Sequence, residues 1–403
     1  MKVRKLCAVL CTAAALTLSP LARGDVITDW NLIAMDATAG PPTPVQGRIL
    51  SIAHGAMFDA ANAIERRYTP YLAEFKAPTG ASVIAAVAAA GHGVLAGLVP
   101  GQKAMLDGAL ATTLSKIADG ASKEDGLALG REVAQAYIAV RSNDGIGAKD
   151  QHMPGAGMGQ WQPTPPAHAP MALPHLANVL PFTAKSFDFL DVKGPPPLDS
   201  AANARDLDEV RRVGARNSNV RTADQTASAI FWVINTTVPW NAAARSAAQK
   251  AGTSVVDNAR VFALMNMAGE DAYIAGWQIK RKTSFWRPVT AIRNAASNPD
   301  PVWDPLLITP AHPDYPSGHT IYSGAAAGVL QRLFNTDQVA FSATFGGPNG
   351  VIRGWRSLSE AEKDVQGARI WAGIHFRIAS EQGGQLGHAI ADRAVETLMR
   401  PIQ

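Results

Sequence analysis

Cysteine is almost absent from this sequence of 403 residues, and both copies, Cys7 and Cys11, lie close to its start. They fall inside an apolar run, 6–18, that follows a basic start and precedes small residues. This pattern predicts a secretory signal over residues 1–24 with cleavage before Asp25. We therefore expect an exported protein, periplasmic or secreted. Its mature chain would have no cysteine, which excludes disulfides, zinc–thiolate sites and cysteine nucleophiles.

Charge and long apolar runs are also scarce. Only 17% of the residues are charged and the formal net charge is +4, which is too little to favour nucleic acid as a partner. After residue 24, no apolar run is long enough to predict a membrane span. Alternating strand patterns and internal repeats are missing as well, so the sequence predicts an all-α protein.

Hydrophobic residues make up 47% of the chain, enough to fill a sizeable core, and many recur at helical spacing. We expect an N-terminal helical region over 25–142, a Pro- and Gly-rich ordered loop region over 143–200, and a helical bundle over 201–403. Predicted helices lie at 30–67, 81–98, 101–116, 122–140, 201–215, 222–238 and 254–282, with Ser122 as an N-cap and Thr222 and Gln225 as a capping box.

Two permanent cations follow each other at the end of the last of these helices. Lys280 lies on the helix, and Arg287 falls seven residues later, where Pro288 disfavours helical backbone. Both side chains can point into one pocket, where arginine offers a planar fork to two oxygens and lysine a point charge to a third. Taken alone, either residue is more typical of a solvated surface cation, which is the alternative.

The second group is Pro316-Ser317-Gly318-His319, ahead of an apolar run that predicts a helix over 321–333. Ser317 would lie at or near its N-cap. Its hydroxyl and the Gly318 N–H would then sit at the positive end of the helix dipole, where anions bind. His319 could exchange a proton there near neutral pH. A plain serine-capped helix with an incidental histidine is the alternative.

The third group holds Arg369 and His375, which would lie about 120° apart on one straight helix. Gly373 lies between them and can end the helix, so that His375 turns back toward the arginine. His375 could then act as a nucleophile toward phosphorus or as a ligand of a metal oxyanion. A core histidine bonded to a backbone carbonyl is the alternative.

The order and internal spacing of the three groups resemble a known signature, that of the superfamily of type 2 phosphatidic acid phosphatases and vanadium-dependent haloperoxidases. The wider sequence is similar to its secreted bacterial haloperoxidase-related branch, at the stretches 56–62, 161–166, 285–293 and 373–377. The resemblance implies an all-α fold built on four-helix bundles with long Pro- and Gly-rich loops. One bundle would hold the oxyanion.

The resemblance also implies roles for individual residues. The oxygens of vanadate, the implied cofactor, would be bound by Lys280, Arg287, Ser317, Gly318 and Arg369. His375 would bond the vanadium and His319 would be the acid–base group. Hydrogen peroxide, a halide and an organic acceptor would be the reactants. His312 stands where bromide-preferring members carry histidine and chloride-preferring fungal members carry an aromatic residue, so bromide is expected; a simple turn histidine before Pro313 is the alternative.

One departure from the family pattern stands out. Four residues after the ligand histidine the family usually carries Asp, which orients that ring, but this chain has Ala379. Three functions therefore stay open: a vanadate-dependent haloperoxidase, a phosphatase that acts on phosphate esters through a phosphohistidine at His375, and a non-catalytic oxyanion-binding protein. A homodimer is compatible with the sequence, which does not decide the oligomeric state.

Overall fold

The structure, a computed structural model, describes residues 25–346 and 350–402, and helices dominate them as predicted. They are α1 (Val26–Ala37), α2 (Thr43–Glu65), α3 (Val83–Leu98), α4 (Lys103–Leu114), α5 (Ala121–Arg141), α6 (Ala201–Val213), α7 (Ala223–Phe231), α8 (Thr237–Ala251), α9 (Val255–Thr283), α10 (Pro288–Arg293), α11 (Gly318–Phe334), α12 (Leu358–Trp371) and α13 (Arg377–Thr397). The expectation of an all-α fold is thereby confirmed. The predicted signal, 1–24, lies outside the described residues.

Helix α9 is the central element of the fold. Its N-cap, Ser254, accepts a hydrogen bond from the backbone N–H of Asp257. It ends at Ser284, which has a φ of 43° and donates its N–H to the carbonyl of Lys280. The helix is buried on nearly every side, because α2, α11 and α13 all pack against it. A group at its C-terminal end is therefore held inside the molecule.

Helices α11 and α13 approach each other closely through glycines. A Cβ atom added to Gly324 would lie 2.2 Å from the carbonyl oxygen of Gly384. One added to Gly387 would lie 2.2 Å from the carbonyl oxygen of Ile321. Any larger residue would force the two backbones apart. The contact fixes the start of α11 against the first turns of α13.

The segment between α5 and α6 is an ordered loop, with one short 3₁₀-helix at Pro174–Asn178. It is fastened to α9 and its C-cap at two points: Asp271 accepts the backbone N–H groups of Phe182 and Thr183, and Trp161 donates its N–H to the carbonyl of Ser284. The main hydrophobic core is continuous from Val26 to Met399. The division into 25–142, 143–200 and 201–403 stays a prediction.

Several local predictions differ from the structure. The helix expected over 30–67 is broken between Ala37 and Thr43, where Pro41 and Pro42 follow Gly40. The helix expected over 222–238 ends at Phe231, although the capping box of Thr222 and Gln225 at its start is confirmed.

Two further predictions of local structure were wrong. The N-cap of α5 is Gly120, with a φ of 138°, while the hydroxyl of Ser122 donates to the carbonyl of Gly80. A hairpin that the sequence pattern did not reveal pairs β1 (Phe341–Phe345) with β2 (Val351–Trp355). Among the described residues, no helix combines the length and the apolar character that a bilayer crossing requires.

Candidate oxyanion site

Lys280 is completely buried in the last turn of α9. Its ammonium group donates to the carbonyl oxygens of Pro313 at 2.7 Å, Asp314 at 3.1 Å and Pro316 at 2.5 Å. Burial and the nearby Arg287 lower the pKa of Lys280 well below its usual value, and Asp314 opposes that shift. Lys280 thus anchors the loop before α11 and does not reach outward as a free cation.

Arg287 is the buried residue at the N-cap of α10, where Pro288 holds it in extended backbone. Its Nε donates to the carbonyl of His312 at 2.7 Å, and Nη1 donates to the carbonyl of Ile374 at 2.6 Å. The same Nη1 lies 3.0 Å from Nε2 of His375. Burial lowers the pKa of Arg287 to about 10. This guanidinium joins the third group of the sequence signature to the loop that precedes α11.

Ser317 and Gly318 form the start of α11, as the sequence predicts. The N–H of Ser317 donates to the carbonyl of Ala379 at 2.9 Å, while its hydroxyl makes no capping bond. That hydroxyl is buried and has no hydrogen-bond partner among the described residues. A Cβ on Gly318 would lie 3.2 Å from the ring of Tyr273. The helix start therefore presents one unpaired hydroxyl and a backbone that a side chain would crowd.

Arg369 and His375 are brought together because α12 ends at Trp371. Gly373 adopts a φ of 76°, which favours glycine, and a Cβ there would lie 2.3 Å from the carbonyl oxygen of Gly214. Arg369 donates from Nη1 to the carbonyl of Trp232 at 2.7 Å. Its Nε is buried without a partner in the described part of the chain. Burial, together with Arg287, lowers the pKa of Arg369 to about 9.

His319 lies in the first turn of α11, next to these cations. Burial and the charge of Arg369 lower its pKa well below the usual value, while the carbonyls of Ile234 and Trp232 oppose the shift. Its Nε2 is buried and has no partner among residues 25–346 and 350–402. A neutral imidazole with a free ring nitrogen can hold or accept a proton at that atom.

His312 is held beside the site by an arginine and a tryptophan. Arg287 Nη2 lies 3.0 Å from its Nδ1, and its ring centroid is 5.0 Å from that of Trp277. The centroid of His375 lies 6.5 Å away. Burial, followed by the charges of Arg287 and Lys280, lowers the pKa of His312 well below its usual value. His312 is therefore part of this cluster and not a free turn histidine.

Asp314 is the site residue that the sequence reasoning missed. Its Oδ1 lies 2.9 Å from Nδ1 of His375, and both side chains are buried, at 0% and 2% exposed. The N–H direction of the ring is not aligned with this oxygen, and neither carboxylate oxygen has an aligned donor within the described residues. Burial raises the pKa of Asp314 to about 7, and Arg287 and Lys280 oppose the shift. Its position among the motif residues was the only available signal.

The cluster carries an excess of buried positive charge. Lys280, Arg287 and Arg369 are three cations that are at most 3% exposed. The carboxyl group of Asp314 opposes the lowering of the pKa values of Lys280 and Arg287. Buried cations are stable only when paired and hydrogen-bonded. Unpaired donors at Ser317 and Arg369 lie in the same cluster. These features suit a tetrahedral oxyanion such as vanadate or phosphate.

Comparison with solved structures finds proteins with the same helical architecture. A bacterial vanadium-dependent iodoperoxidase superimposes with a TM-score of 0.79, at 24% identity, over 93% of this chain and 97% of that chain. A holo-type bacterial vanadium-dependent chloroperoxidase gives a TM-score of 0.73, at 19% identity, over 94% of this chain and 98% of that chain. The chain therefore has the helical fold seen in vanadium haloperoxidases.

Sequence comparison points the same way. Residues 260–403 match the family model of the second helical-bundle domain of vanadium chloroperoxidase. Vanadium chloroperoxidase of Curvularia inaequalis is 30% identical over an alignment of 190 residues, and the match covers 38% of this chain and 31% of that relative. The match thus spans less than a third of the relative's length. These matches support the superfamily of vanadium-dependent haloperoxidases and type 2 phosphatidic acid phosphatases, and residues 260–403 carry the matched domain.

Proposed function

We propose that this protein is a vanadate-dependent haloperoxidase that oxidises a halide with hydrogen peroxide to hypohalous acid, which then halogenates an organic acceptor. The main observation in support of this proposal is that three buried cations, Lys280, Arg287 and Arg369, surround His375. Such a group requires an anion, and the unpaired hydroxyl of Ser317 and Nε of Arg369 offer it hydrogen bonds. A resemblance to vanadium chloroperoxidase over residues 260–403 supports vanadate as that anion.

Each residue has a separate part in this proposal. Ser317, the N–H of Gly318 and Arg369 would hold vanadate oxygens, and His375 Nε2 would bind the metal. Lys280 and Arg287 would add positive charge while they keep the loops in place. When bound, vanadate supplies a Lewis-acid centre that activates peroxide toward a halide. His319 would exchange a proton at Nε2, because that atom has no competing partner in the described part of the chain.

The halide preference is proposed from His312. Its ring is fixed between Arg287 and Trp277, near the ring of His375. We propose bromide as the preferred halide, because bromide-preferring members of the superfamily carry histidine at this place. Turnover with chloride, bromide and iodide in the wild type and in His312→Phe tests this. A chloride preference in the wild-type protein would contradict it.

Two parallel assays test the activity. The protein is treated with chelator, incubated with vanadate and assayed for bromination with peroxide and bromide, and it is also assayed for hydrolysis of p-nitrophenyl phosphate without vanadate. We expect bromination that requires vanadate. His375→Ala should lose vanadate retention, whereas Arg281→Ala, which removes a neighbouring cation paired with Asp150, should not. Phosphate hydrolysis without any bromination would overturn the proposal.

Phosphate hydrolysis also has support in the structure. Oδ1 of Asp314 lies 2.9 Å from Nδ1 of His375, where the carboxylate can orient the ring of a nucleophilic histidine. Phosphate and vanadate share their shape and charge, so this pair serves a phosphatase with a phosphohistidine intermediate as well. His319 would then protonate the leaving alcohol. The two assays separate these reactions because only one requires peroxide.

We also propose that the protein is exported to the periplasm or secreted. Support comes from the signal pattern of residues 1–24. Asp25 is the N-cap of α1, so cleavage ahead of it would leave that helix intact. N-terminal sequencing of protein purified from culture medium or periplasm should give a chain that begins at Asp25. A cytoplasmic protein that begins at Met1 would contradict the proposal.

A further inference from the structure

We propose that Asp314 is the positioning residue of His375, the residue that takes over the role of the family's missing aspartate at Ala379. In this assignment the carboxylate of Asp314 fixes the ring of His375 with its proton on Nδ1. The lone pair of Nε2 then faces the oxyanion site. The inference rests on the proposed function only in that His375 binds an oxyanion, and it holds for either vanadate or phosphate.

The contact with Asp314 assigns the tautomer of His375. Nη1 of Arg287 lies 3.0 Å from Nε2 and 3.4 Å from Nδ1, so this guanidinium does not select one of the two ring nitrogens. In a neutral ring one nitrogen carries the proton and the other is the acceptor. A neighbouring carboxylate can only accept a hydrogen bond, so it favours the tautomer with the proton on Nδ1. Asp314 Oδ1 lies 2.9 Å from that nitrogen. A carboxylate is the acceptor that most often fixes the tautomer of a ligand histidine.

Asp314 is itself held on both sides by backbone contacts. Its N–H donates to the carbonyl of Phe285 at 2.9 Å. Its carbonyl oxygen accepts a hydrogen bond from the ammonium group of Lys280 at 3.1 Å. Arg287 Nη1 lies 3.8 Å from the carboxylate, too far for a hydrogen bond but close enough to attract it. The side chain is thus confined next to His375.

The carboxylate reaches the ring from a different element than the family pattern uses. Ala379 lies in the first turn of α13 and is completely buried, and its carbonyl accepts the N–H of Ser317. Asp314 comes instead from the loop that precedes α11. Neither of its carboxylate oxygens has an aligned donor in the described part of the chain, and Oδ1 lies closer to Nδ1 of His375, at 2.9 Å, than to Nη1 of Arg287, at 3.8 Å. The oxygens are therefore available to His375, and the orienting contact has moved within the fold.

The tautomer can be measured without any oxyanion. Long-range ¹H–¹⁵N correlation spectra of the full-length protein labelled at histidine report which ring nitrogen carries the proton, and His375→Ala identifies the signals of His375. We expect Nδ1–H in the wild type. In Asp314→Asn the carboxamide can donate to Nδ1, and we expect the Nε2–H tautomer to become populated, as with the aspartate of a catalytic triad. A wild-type ring with its proton on Nε2 would overturn the proposal.

Vanadate affinity gives the second measurement, by equilibrium dialysis with orthovanadate. Asp314→Asn should weaken binding about 10- to 100-fold, the usual effect of losing a hydrogen-bond partner of a ligand histidine. Asp314→Glu should recover part of that loss. Asp304→Asn, which removes a half-exposed carboxylate paired with Arg293, is the matched control and should bind as the wild type does. Equal affinity in Asp314→Asn and the wild type would contradict the proposal.

The outcomes also separate this inference from the proposed function. Wild-type protein that binds vanadate, shows the Nδ1–H tautomer and fails to brominate would refute the haloperoxidase but not the role of Asp314. Bromination by the wild type with an unchanged tautomer in Asp314→Asn would refute the role of Asp314 alone. If Asp314→Asn does not fold, the wild-type spectrum and Asp314→Glu decide.

Discussion

His319 differs from the other site histidines because its Nε2 makes no hydrogen bond to the described residues. His375 and His312 are both held by Arg287. A ring nitrogen that is buried and unpaired is available to a reactant. For that reason we assign proton exchange to His319.

His319→Ala should separate binding from turnover. We expect vanadate affinity to stay near that of the wild type and kcat to fall about 10²- to 10⁴-fold, the usual contribution of a general acid–base group. Dialysis and bromination kinetics measure the two quantities. His92→Ala, which removes a histidine paired with Asp107 on the surface, is the control. Unchanged kcat in His319→Ala would show that the proton moves elsewhere.

At the residue scale, the sequence predicted the members of the site but not all of their contacts. Lys280, Arg287, Ser317, Arg369 and His375 meet because each occupies the end of a helix or the turn beside it, which local patterns reveal. The three carbonyl bonds of the lysine and the Asp314 contact depend on how the loop before α11 folds back. No local pattern encodes that path.

At the scale of elements, helix positions were predictable wherever apolar spacing and caps agreed. Helix α9 follows its pattern from the N-cap Ser254 onward. Apolar spacing did not predict two segments correctly. The predicted helix over 30–67 breaks at Pro41 and Pro42. The hairpin β1–β2 was missed because its second strand shows little alternation of buried and exposed residues. Packing against the rest of the chain decides those segments.

The glycine contact between α11 and α13 leads to a stability prediction. Gly324→Ala should lower the free energy of unfolding by about 1–3 kcal/mol, because its Cβ would overlap the carbonyl of Gly384 and overpacked contacts cost that much. It should also reduce vanadate affinity, since α11 begins at the site. Urea unfolding and dialysis measure both effects.

Gly108→Ala is the matched control for that substitution. Gly108 lies on the exposed side of α4, and nothing is within 4 Å of an added Cβ. We expect a gain of about 0.5–1 kcal/mol, because alanine restricts the unfolded chain and favours a helix. A similar loss of stability in both variants would mean that the contact between α11 and α13 is not close enough to exclude a methyl group.

At the scale of the whole molecule, two buried groups away from the site should shape the dependence of stability on pH. Burial, with the charge of Arg245, lowers the pKa of His54 to about 3. Burial, with the charge of Asp271, raises the pKa of Glu270 well above its usual value. Both shifts favour the neutral form of the residue in the folded protein, while the unfolded chain can charge each of them.

His54 should weaken the fold in acid. Below its unfolded pKa of about 6.5, only the unfolded chain takes up the proton, so the free energy of unfolding should fall by about 1.4 kcal/mol per pH unit down to the folded pKa of about 3. The test compares urea unfolding of the wild type and His54→Gln between pH 4 and pH 8. If the free energy of unfolding falls equally with pH in the wild type and in His54→Gln, the prediction is wrong.

Glu270 should act in the opposite direction. As the pH rises through its unfolded pKa of about 4.3, the unfolded chain loses a proton that the folded protein keeps, so stability should fall with rising pH. Neither carboxyl oxygen has a hydrogen-bond partner among the described residues. In Glu270→Gln the free energy of unfolding should no longer contain this decline with rising pH. An equal decline in the variant and the wild type would contradict the role of Glu270.

The contact between Asp314 and His375 also bears on how relatives are recognised in genomes. A search pattern that demands an acid four places beyond the histidine rejects this chain at Ala379. An alternative pattern with the acid three places ahead of the serine, as at Asp314 and Ser317, would retain it. Genes discarded as decayed copies deserve a second scan with that rule.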